Sequence, residues 1–332
     1  MAARAFCGFR GPFASYYSWS VTSARPERLP EPMTNPRADR VRDVAKLAQR
    51  SARIRRGLFL AEGPQAVREA LALDAVRREP AGGEGGRLVA EVYASAACLE
   101  RHPELEELAR GTGALRLATD EVLAAMADTV NPQGIVAVCR QLDVTLEEVL
   151  GGTPRLVAVL CRVQDPGNAG TILRAADAAG ADAIVFTEGS VDAYNPKTVR
   201  STAGSIFHVP FVVGADMAEL AERLRSAGVG ILAADGYGTV DLDALQDESV
   251  ARRLARGSER GGEPAAGEGA PSYALEAPTA WLFGNEAQGL ADAELALADA
   301  RVAVPIYGQA ESLNVGTAAT VCLYASARAQ QR

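Results

Sequence analysis

Two segments near the end of the chain, WLFGNEAQGL (residues 281–290) and VPIYGQAESLNVG (residues 304–316), decide the fold. Each begins with a short apolar run, which predicts a buried strand, and continues into a Gly-rich polar loop. A helix-forming stretch follows each loop, over residues 287–300 and 312–329. Ligands of open α/β sheets bind in the crevice between such loops at neighbouring strand ends. The sequence therefore predicts a ligand site built from these two loops.

A third segment, DPGNAGTILR (residues 165–174), has the same setting. It follows the continuous apolar run 156–161, typical of a parallel strand covered on both faces, and leads into an Ala-rich helix over 169–179. Its glycines do not have the Gly-x-Gly-x-x-Gly spacing of dinucleotide-binding folds, and the chain has no Gly-Lys-Ser/Thr phosphate loop. These absences argue against a nicotinamide dehydrogenase and a phosphate-loop NTPase.

Strand-like and helical stretches alternate along the rest of the chain, which predicts an α/β fold in two parts. Residues 39–56 have a helical apolar pattern with Arg and Lys on the other positions. The predicted organisation is a disordered extension over 1–36, with a transit peptide as the alternative; a small α/β domain over 37–140; a linker over 141–155; and a larger domain over 156–332 with a flexible low-complexity insertion at 255–277.

The composition narrows the possible functions. Net charge is −8, but residues 1–56 hold twelve Arg and Lys against four Asp and Glu, a net +8 that leaves −16 for the remainder. A basic N-terminal arm can contact phosphates, although a solvated basic helix without a partner has the same composition. Five scattered cysteines and only two histidines favour a cytoplasmic protein and argue against a zinc site. No apolar run approaches the ~20 residues that span a bilayer.

The three segments, in their order and approximate spacing, resemble the signature motifs of the SpoU/TrmH branch of the SPOUT RNA methyltransferases. The resemblance implies a C-terminal SPOUT α/β-knot, a trefoil-knotted parallel sheet with helices on both faces, preceded by an L30e-like α/β domain that helps to bind RNA. It also implies a homodimer that uses S-adenosylmethionine and no metal to methylate a ribose 2′-hydroxyl of rRNA or tRNA.

The resemblance assigns roles to particular residues. Those implied in catalysis are Arg174, Asn168, Glu286, Ser312 and Asn314. Without the resemblance, Arg174 is an ordinary surface residue of an Ala-rich helix, and Asn168 is a cap in front of that helix. Glu286 is likewise an acid favoured by a helix N-terminus, and Ser312 is the predicted cap of the last helix, with Asn314 in its first turn.

The remaining implied contacts concern the cofactor and the RNA. The cofactor would be held through main-chain groups at Leu282, Gly284, Val304, Ile306, Leu313 and Asn314. The residues implied in RNA binding are Arg53, Arg55, Arg56, Arg200 and Ser201, with Glu62 near the first three. His208 is expected at a strand edge and not as a catalytic base.

Two alternatives to ribose methylation remain. One keeps the cofactor and changes the target to a base, as in other SPOUT branches. The other is an RNA-binding protein of the same fold that has lost catalysis. The pairing of Arg174 with Asn168 favours ribose, and the complete set of motif residues favours an enzyme.

Overall fold

Secondary structure follows the predicted alternation in a computed structural model that describes residues 31–78, 86–257 and 273–330. The helices are α1 (Asp39–Ala45), α2 (Arg50–Arg56), α3 (Pro64–Arg78), α4 (Ala96–Arg101), α5 (Pro103–Thr112), α6 (Asp120–Met126), α7 (Leu146–Gly151), α8 (Pro166–Ala178), α9 (Pro196–Ser201), α10 (Met217–Ser226), α11 (Leu242–Gly257), α12 (Asp292–Leu295) and α13 (Val315–Ala329). The strands are β1 (Leu58–Glu62), β2 (Val89–Ala94), β3 (Leu115–Leu117), β4 (Ile135–Arg140), β5 (Leu156–Leu160), β6 (Ala183–Thr187), β7 (Phe211–Ala215), β8 (Gly230–Ala234), β9 (Val240–Asp241), β10 (Thr279–Phe283) and β11 (Ala300–Ala303).

The strands form two sheets, one in each half of the chain. The N-terminal sheet has the order β1-β4-β2-β3, with β4 antiparallel to both its neighbours. The C-terminal sheet has the order β7-β6-β5-β10-β8-β11-β9 and is parallel throughout. Its strands β5, β6 and β10 are buried along their whole length, and separate apolar clusters cover the two faces. The predicted α/β class is confirmed, whereas the trefoil knot stays a prediction.

Parallel pairing brings the three motif segments to one edge of the C-terminal sheet. Strands β5 and β10 are neighbours in register, Leu160 opposite Phe283, so the chain leaves both at the same level. Strand β11 is separated from β10 by β8 alone. Residues 161–165, 284–290 and 304–314 therefore begin at the carboxyl ends of nearby strands, where α/β sheets bind their ligands.

Three predicted helices differ from the observed ones. The helix expected over 39–56 is interrupted, because Gln49 is extended (ψ 130°) after a 3-10 turn at Lys46–Ala48. The one expected over 287–300 is only the single turn α12, since paired hydrogen bonds between Asn285 and Gly289 close the preceding loop and β11 begins at Ala300. The last helix begins at Val315 and not at 312.

The predicted boundaries also need correction. Met33 pairs with Leu117 and Thr119 at the edge of β3, so the extension does not reach residue 36; residues 1–30 lie outside the described part. The linker contains α7, whose Thr145 and Glu148 form a capping box. Residues 258–272 of the insertion are also outside the described part, but its end is packed, with Leu275 fully buried.

The two halves of the chain share an apolar core. The Phe59 ring on β1 lies 4.8 Å from the Tyr194 ring and 6.0 Å from the Phe207 ring, measured between centroids. The Tyr194 hydroxyl in turn accepts hydrogen bonds from the N–H groups of Leu142 and Asp143 in the linker. The independence of the two parts as domains therefore stays a prediction, and the observed contact between them is extensive. No helix in the described ranges is long and apolar enough to cross a membrane.

His208 links the two halves through an ion-pair triad and does not lie on a strand edge as expected. It follows the 3-10 turn Ser205–Phe207, and its ring nitrogens are 2.8 Å from Asp177 of α8 and 3.2 Å from Glu69 of α3. Hydrogen bonding to Asp177 and then to Glu69 outweighs partial burial and raises the pKa of the imidazole to about 9. The protonated form is therefore favoured by folding.

The His208 triad should make the stability of the folded protein depend on pH. The stabilisation is complete below the unfolded pKa of 6.5 and disappears as the pH rises through about 9, since the folded pKa is the higher one. Because solvent partly screens the pairs, we expect a loss of about 1 to 2 kcal/mol in the free energy of unfolding over that range. Urea unfolding at pH 6 and pH 9.5 measures this loss. In the His208→Ala variant, the free energy of unfolding should change less between the two pH values. An equally large change in the variant would contradict the assignment of the pH dependence to His208.

Candidate active site

Three side chains, one from each motif segment, are joined by hydrogen bonds at the carboxyl edge of the sheet. The Asn168 side-chain amide donates to Glu286 Oε1 at 3.1 Å, and the Asn314 side-chain amide donates to Asn168 Oδ1 at 2.9 Å. The three residues therefore form a continuous chain, Asn314 to Asn168 to Glu286, which we call the motif cluster. It brings together residues that the sequence predicted to share a site.

Helix caps place the two asparagines. Asp165, and not Asn168, is the N-cap of α8; its side chain accepts from the Asn168 N–H, and Pro166 occupies the first helical position. Asn168 therefore lies inside the first turn, with its side chain available for the cluster. The N-cap of α13 is Asn314, whose side chain accepts from the N–H groups of Gly316 and Thr317. The predicted cap Ser312 lies instead in an exposed loop.

Glu286 is held as a carboxylate by several donors. The N–H groups of Gln164 and Asp165 donate to it at 3.2 and 3.1 Å, in addition to the Asn168 amide. Partial burial raises the pKa of Glu286, but the hydrogen bonds from its own N–H, Asn168, Gln164 and Asp165 outweigh burial and hold the pKa below its ordinary value. Glu286 is therefore a hydrogen-bond acceptor with a fixed negative charge. It is not suited to act as a general base, which would need a higher pKa.

The loop that carries Glu286 closes tightly on itself. A Cβ on Gly284 would lie 2.4 Å from the Gly289 carbonyl carbon and the Leu290 nitrogen, so only glycine fits there. The Asn285 amide donates to the Arg162 carbonyl at 3.0 Å and fixes the loop to the end of β5. Leu282 is fully buried in β10, so it could contact a ligand only through its main chain.

The segment between β11 and α13 has the features needed to hold an adenosyl group. Within the described residues, no main-chain group from residues 304 to 313 is hydrogen-bonded to another main-chain group. Ile306 and Leu313, in the same segment, are 38% and 37% exposed. Free main-chain donors and acceptors next to open apolar side chains suit a flat heteroaromatic ring, and S-adenosylmethionine fits this chemistry.

Arg174 lies on α8, on the same helix as Asn168 and six residues beyond it. Its side chain is exposed, and it forms no hydrogen bond or ion pair with the described part of the chain. Its guanidinium is therefore available to an anionic ligand. Among the described residues, the structure therefore does not bring Arg174 into the motif cluster, and its catalytic role stays a prediction.

Most residues predicted to bind RNA have structural partners instead. Arg53 is 2% exposed and pairs with Asp192 at 2.6 Å, so it cannot reach RNA. The guanidinium of Arg56 donates to the Asp43 carbonyl. Arg200 pairs with two acids, and the Ser201 hydroxyl donates to the Pro166 and Thr198 carbonyls beside α8. Arg55 is exposed, and its contact with RNA stays a prediction.

Sequence reasoning missed residues that support the site. Arg162 has φ +55° and pairs with Glu294 of α12 at 2.9 Å, which braces the ends of β5 and the Gly284 loop. Lys197 lies 3.3 Å from Asp165. The Asp-Pro pair at 165–166 was a readable signal, since Pro favours the first position of a helix and Asp the cap before it. Within the described ranges, no group of three or more His, Cys, Asp or Glu residues could hold a metal.

Known proteins share both parts of this structure. Residues 155–324 match the SpoU rRNA Methylase family, and residues 38–137 match the MRM3-like substrate binding domain. The 23S rRNA (guanosine(2553)-2′-O)-methyltransferase RlmP of Bacillus subtilis is 33% identical over 285 residues, 86% of this chain and 94% of that protein. RlmB of Ralstonia nicotianae, a 23S rRNA (guanosine-2′-O-)-methyltransferase, is 30% identical over 73% of this chain and 88% of its own.

Solved structures agree with these matches. The AdoMet-bound rRNA methyltransferase from Sinorhizobium meliloti superposes with a TM-score of 0.69 at 26% identity and covers 90% of this chain and 97% of its own. The SpoU methyltransferase AviRb from Streptomyces viridochromogenes, in complex with AdoMet, superposes with a TM-score of 0.65 at 26% identity, over 88% and 98% of the two chains.

Two substitutions at Asn314 separate its two hydrogen-bonding roles. Asn314→Ala removes the cap of α13 and should lower the free energy of unfolding by about 1 kcal/mol. Asn314→Asp keeps the capping oxygen and should stay within about 0.5 kcal/mol of the wild type, although it loses the donor to Asn168. Denaturant unfolding of the three proteins tests this, and equal losses in both variants would show that capping is not the source of the stability.

Proposed function

Because the chain belongs to the SpoU rRNA methylase family, we propose that it transfers a methyl group from S-adenosylmethionine to a ribose 2′-hydroxyl of ribosomal RNA. The observation that carries this proposal is the motif cluster, in which hydrogen bonds join the three segments at the ligand-binding edge of the sheet. The relatives named above are 2′-O-methyltransferases of 23S rRNA, which favours rRNA over tRNA and ribose over a base.

The cofactor is held by the two C-terminal loops. Main-chain groups at Gly284, Val304, Ile306 and Leu313 bind the adenosyl part, with Leu282 contributing through its backbone and Asn314 bordering the site. Bound there, S-adenosylmethionine supplies the methyl group together with its own leaving group. No covalent intermediate on the protein is then required.

Arg174 acts on the ribose. A ribose hydroxyl is a poor nucleophile and must lose its proton around the transition state. Because arginine stays protonated, Arg174 serves by stabilising the negative charge that develops on the 2′-oxygen and by fixing the neighbouring phosphate. The proton leaves through phosphate or water. Positioning of the two reactants supplies much of the acceleration.

The motif cluster orients the reactants. Glu286, kept ionised by its donors, accepts hydrogen bonds and fixes the Asn168 amide. The side-chain oxygen of Asn168 in turn accepts a hydrogen bond from Asn314, so both ends of the Asn168 amide are held. Ser312, in the exposed loop before α13, lies within reach of RNA at the rim of the site. Its contribution is to binding and not to the cluster.

We also propose that the protein works as a homodimer in the cytoplasm, with the trefoil knot of its family. The four cysteines of the described residues are free and buried, as expected in a reducing compartment; cell fractionation tests the location.

Val321 and Tyr324 of α13 are 38% and 49% exposed on one helix face, an apolar surface that a second copy would cover. A second copy could also supply the hydrogen-bond or ion-pair partners that Arg174 lacks among the described residues.

The function is tested by mapping ribose methylation in 23S rRNA by mass spectrometry, in cells with and without the gene. The wild-type gene should restore one or more 2′-O-methyl groups, and Arg174→Ala should not, because the charge on the 2′-oxygen loses its stabilising cation. Affinity for S-adenosylmethionine, measured by calorimetry, should stay within about twofold, since Arg174 is not a cofactor contact. Arg223→Ala on α10, a partly exposed arginine of the same half of the chain outside the motif segments, is the control and should behave as wild type.

An unchanged methylation map would refute ribose methylation of 23S rRNA. Binding of RNA without any cofactor heat in the wild type would point to the RNA-binding alternative. Loss of both transfer and cofactor binding in the Arg174 variant would indicate structural damage.

The dimer is tested by sedimentation. The wild type should sediment at twice the chain mass, and Val321→Asp should shift it towards the monomer, because a charge cannot be buried unpaired in an apolar interface. Val213→Asp provides the control, since Val213 is 41% exposed on β7, an edge strand of the sheet, and does not lie on α13. A monomeric wild type, or a dimer indifferent to both substitutions, would refute the proposed interface.

A further inference from the structure

A cleft of 290 Å³ lies between the two halves of the chain, apart from the motif cluster. The N-terminal half lines it with the end of β1, the start of α3 and the loop between α6 and β4, and the C-terminal half contributes Arg200 and Ala203. Its volume is just below the ~300–1,000 Å³ typical of ligand sites, which suits one flat ring system and not a longer chain.

The charge of the cleft does not favour a phosphate. Arg200 donates to Glu62 at 3.1 Å and to Asp128 at 3.0 Å, and the side chain of Glu62 is 4% exposed. Glu62 also accepts from the N–H groups of Asp128 and Thr129. Glu62 and Arg200 are the charged residues of the lining, and Asp128 beside them holds the second carboxylate. Within the described part of the chain, the only cation of the lining is therefore already paired, so the cleft suits a neutral polar ligand better than an anionic one.

Three side-chain amides face this space without a partner of their own. Gln65, Asn131 and Gln133 line the cleft and are exposed, and their side chains make no hydrogen bond to the described residues. The Gln133 Oε1 atom lies 2.6 Å from the Cβ position of Gly63, so the amide packs directly against the Gly63 backbone. Each amide offers both donors and an acceptor, the combination that pairs with the edges of nucleobases.

The cleft is coupled to the motif cluster through α9. Lys197, near the beginning of this helix, contacts Asp165, whose N–H donates to Glu286. Arg200, three residues later, reaches the cleft. A six-residue helix is ~9 Å long, so a strand of RNA could occupy both places at once.

From this geometry we infer that the cleft holds an unpaired base of the substrate RNA, different from the nucleotide whose ribose is methylated. The inference rests on the proposed function and adds a specificity site to it. Proteins read single-stranded RNA by hydrogen bonds to splayed-out bases, and the three amides supply such contacts. Because both halves of the chain line the cleft, a base bound there would also fix their relative position over the target.

Removal of the amides tests the inference in the full-length protein. Gln133→Ala combined with Asn131→Ala should raise the KM for unmodified 23S rRNA about fivefold or more, from the loss of base-edge hydrogen bonds. Affinity for S-adenosylmethionine and thermal stability should be unchanged, because both side chains are exposed. Gln246→Ala on α11, outside the cleft, is the matched control. A double variant with wild-type KM would overturn the inference.

Salt dependence distinguishes a base from a phosphate. The slope of log Kd against log [KCl] for the same rRNA should be equal in the double variant and the wild type, because no phosphate contact is lost. A shallower slope in the variant would mean that the cleft binds the RNA backbone, which contradicts the inference.

Crosslinking gives a result that does not require methyl transfer. Single-stranded RNA decamers of random sequence containing 4-thiouridine should crosslink to peptides spanning residues 62–66 or 127–136 in the wild type and lose those crosslinks in the double variant. Crosslinks confined to other peptides would overturn the inference. A wild type that crosslinks at the cleft but methylates no rRNA would instead refute the proposed function and leave the cleft as an RNA site.

Discussion

The hydrogen bonds from Asn168 to Glu286 and from Asn314 to Asn168 join segments 118 and 146 residues apart. They can form only because parallel pairing sets the ends of β5 and β10 at one level. The caps then determine direction: Asp165 and Asn314 begin α8 and α13 at this edge, so both helices point their N-termini towards the site. Fold and site therefore depend on the same constraint, the common carboxyl edge of a parallel sheet.

The junction between the two halves contains ion pairs as well as an apolar core. Arg53 pairs with Asp192, Arg200 with Glu62 and Asp128, and His208 with Glu69 and Asp177. A buried guanidinium such as that of Arg53 is tolerated only with a partner, so its pair with Asp192 fixes orientation more than it adds stability. A fixed orientation matters for an enzyme whose substrate must touch both halves at once.

Most strands were predictable from the sequence, but β9 was not, and β11 ends just before the apolar run at 304–306 that predicted a strand. The identity of the helix caps was not predictable either. Apolar runs predicted β5, β6, β8 and β10 closely, because strands buried on both faces have no polar interruption. Ser312 and Asn314 are both good capping residues, and only the tertiary pairing of Asn314 with Asn168 decides between them. The helix expected over 287–300 failed because the tight Gly284 loop and strand β11 override the local propensity of an Ala-rich segment.

One predicted RNA contact, that of Arg53, is ruled out for a reason that composition cannot reveal. Arg53 and Asp192 are 139 residues apart, so the pairing that removes Arg53 from solvent exists only in the fold. The three motif segments were recognisable by contrast, because each is a strand, a polar loop and a helix start in continuous sequence. Local patterns locate a site, whereas the partners of long charged side chains are set by the packing of distant elements.

The same pairing limits how this protein can bind RNA. The N-terminal helices carry a strong positive charge, yet much of it is neutralised within the fold, through the pairs Arg40–Glu91, Arg42–Asp39, Lys46–Asp43 and Arg53–Asp192. Arg50 and Arg55 stay exposed without an ion pair among the described residues. Within the described ranges, fewer of these cations are then left for phosphates, and counterion release contributes less affinity than their number suggests. Recognition must depend more on shape and on contacts with bases, and a polar cleft without net positive charge, placed beside the catalytic edge, is suited to provide them.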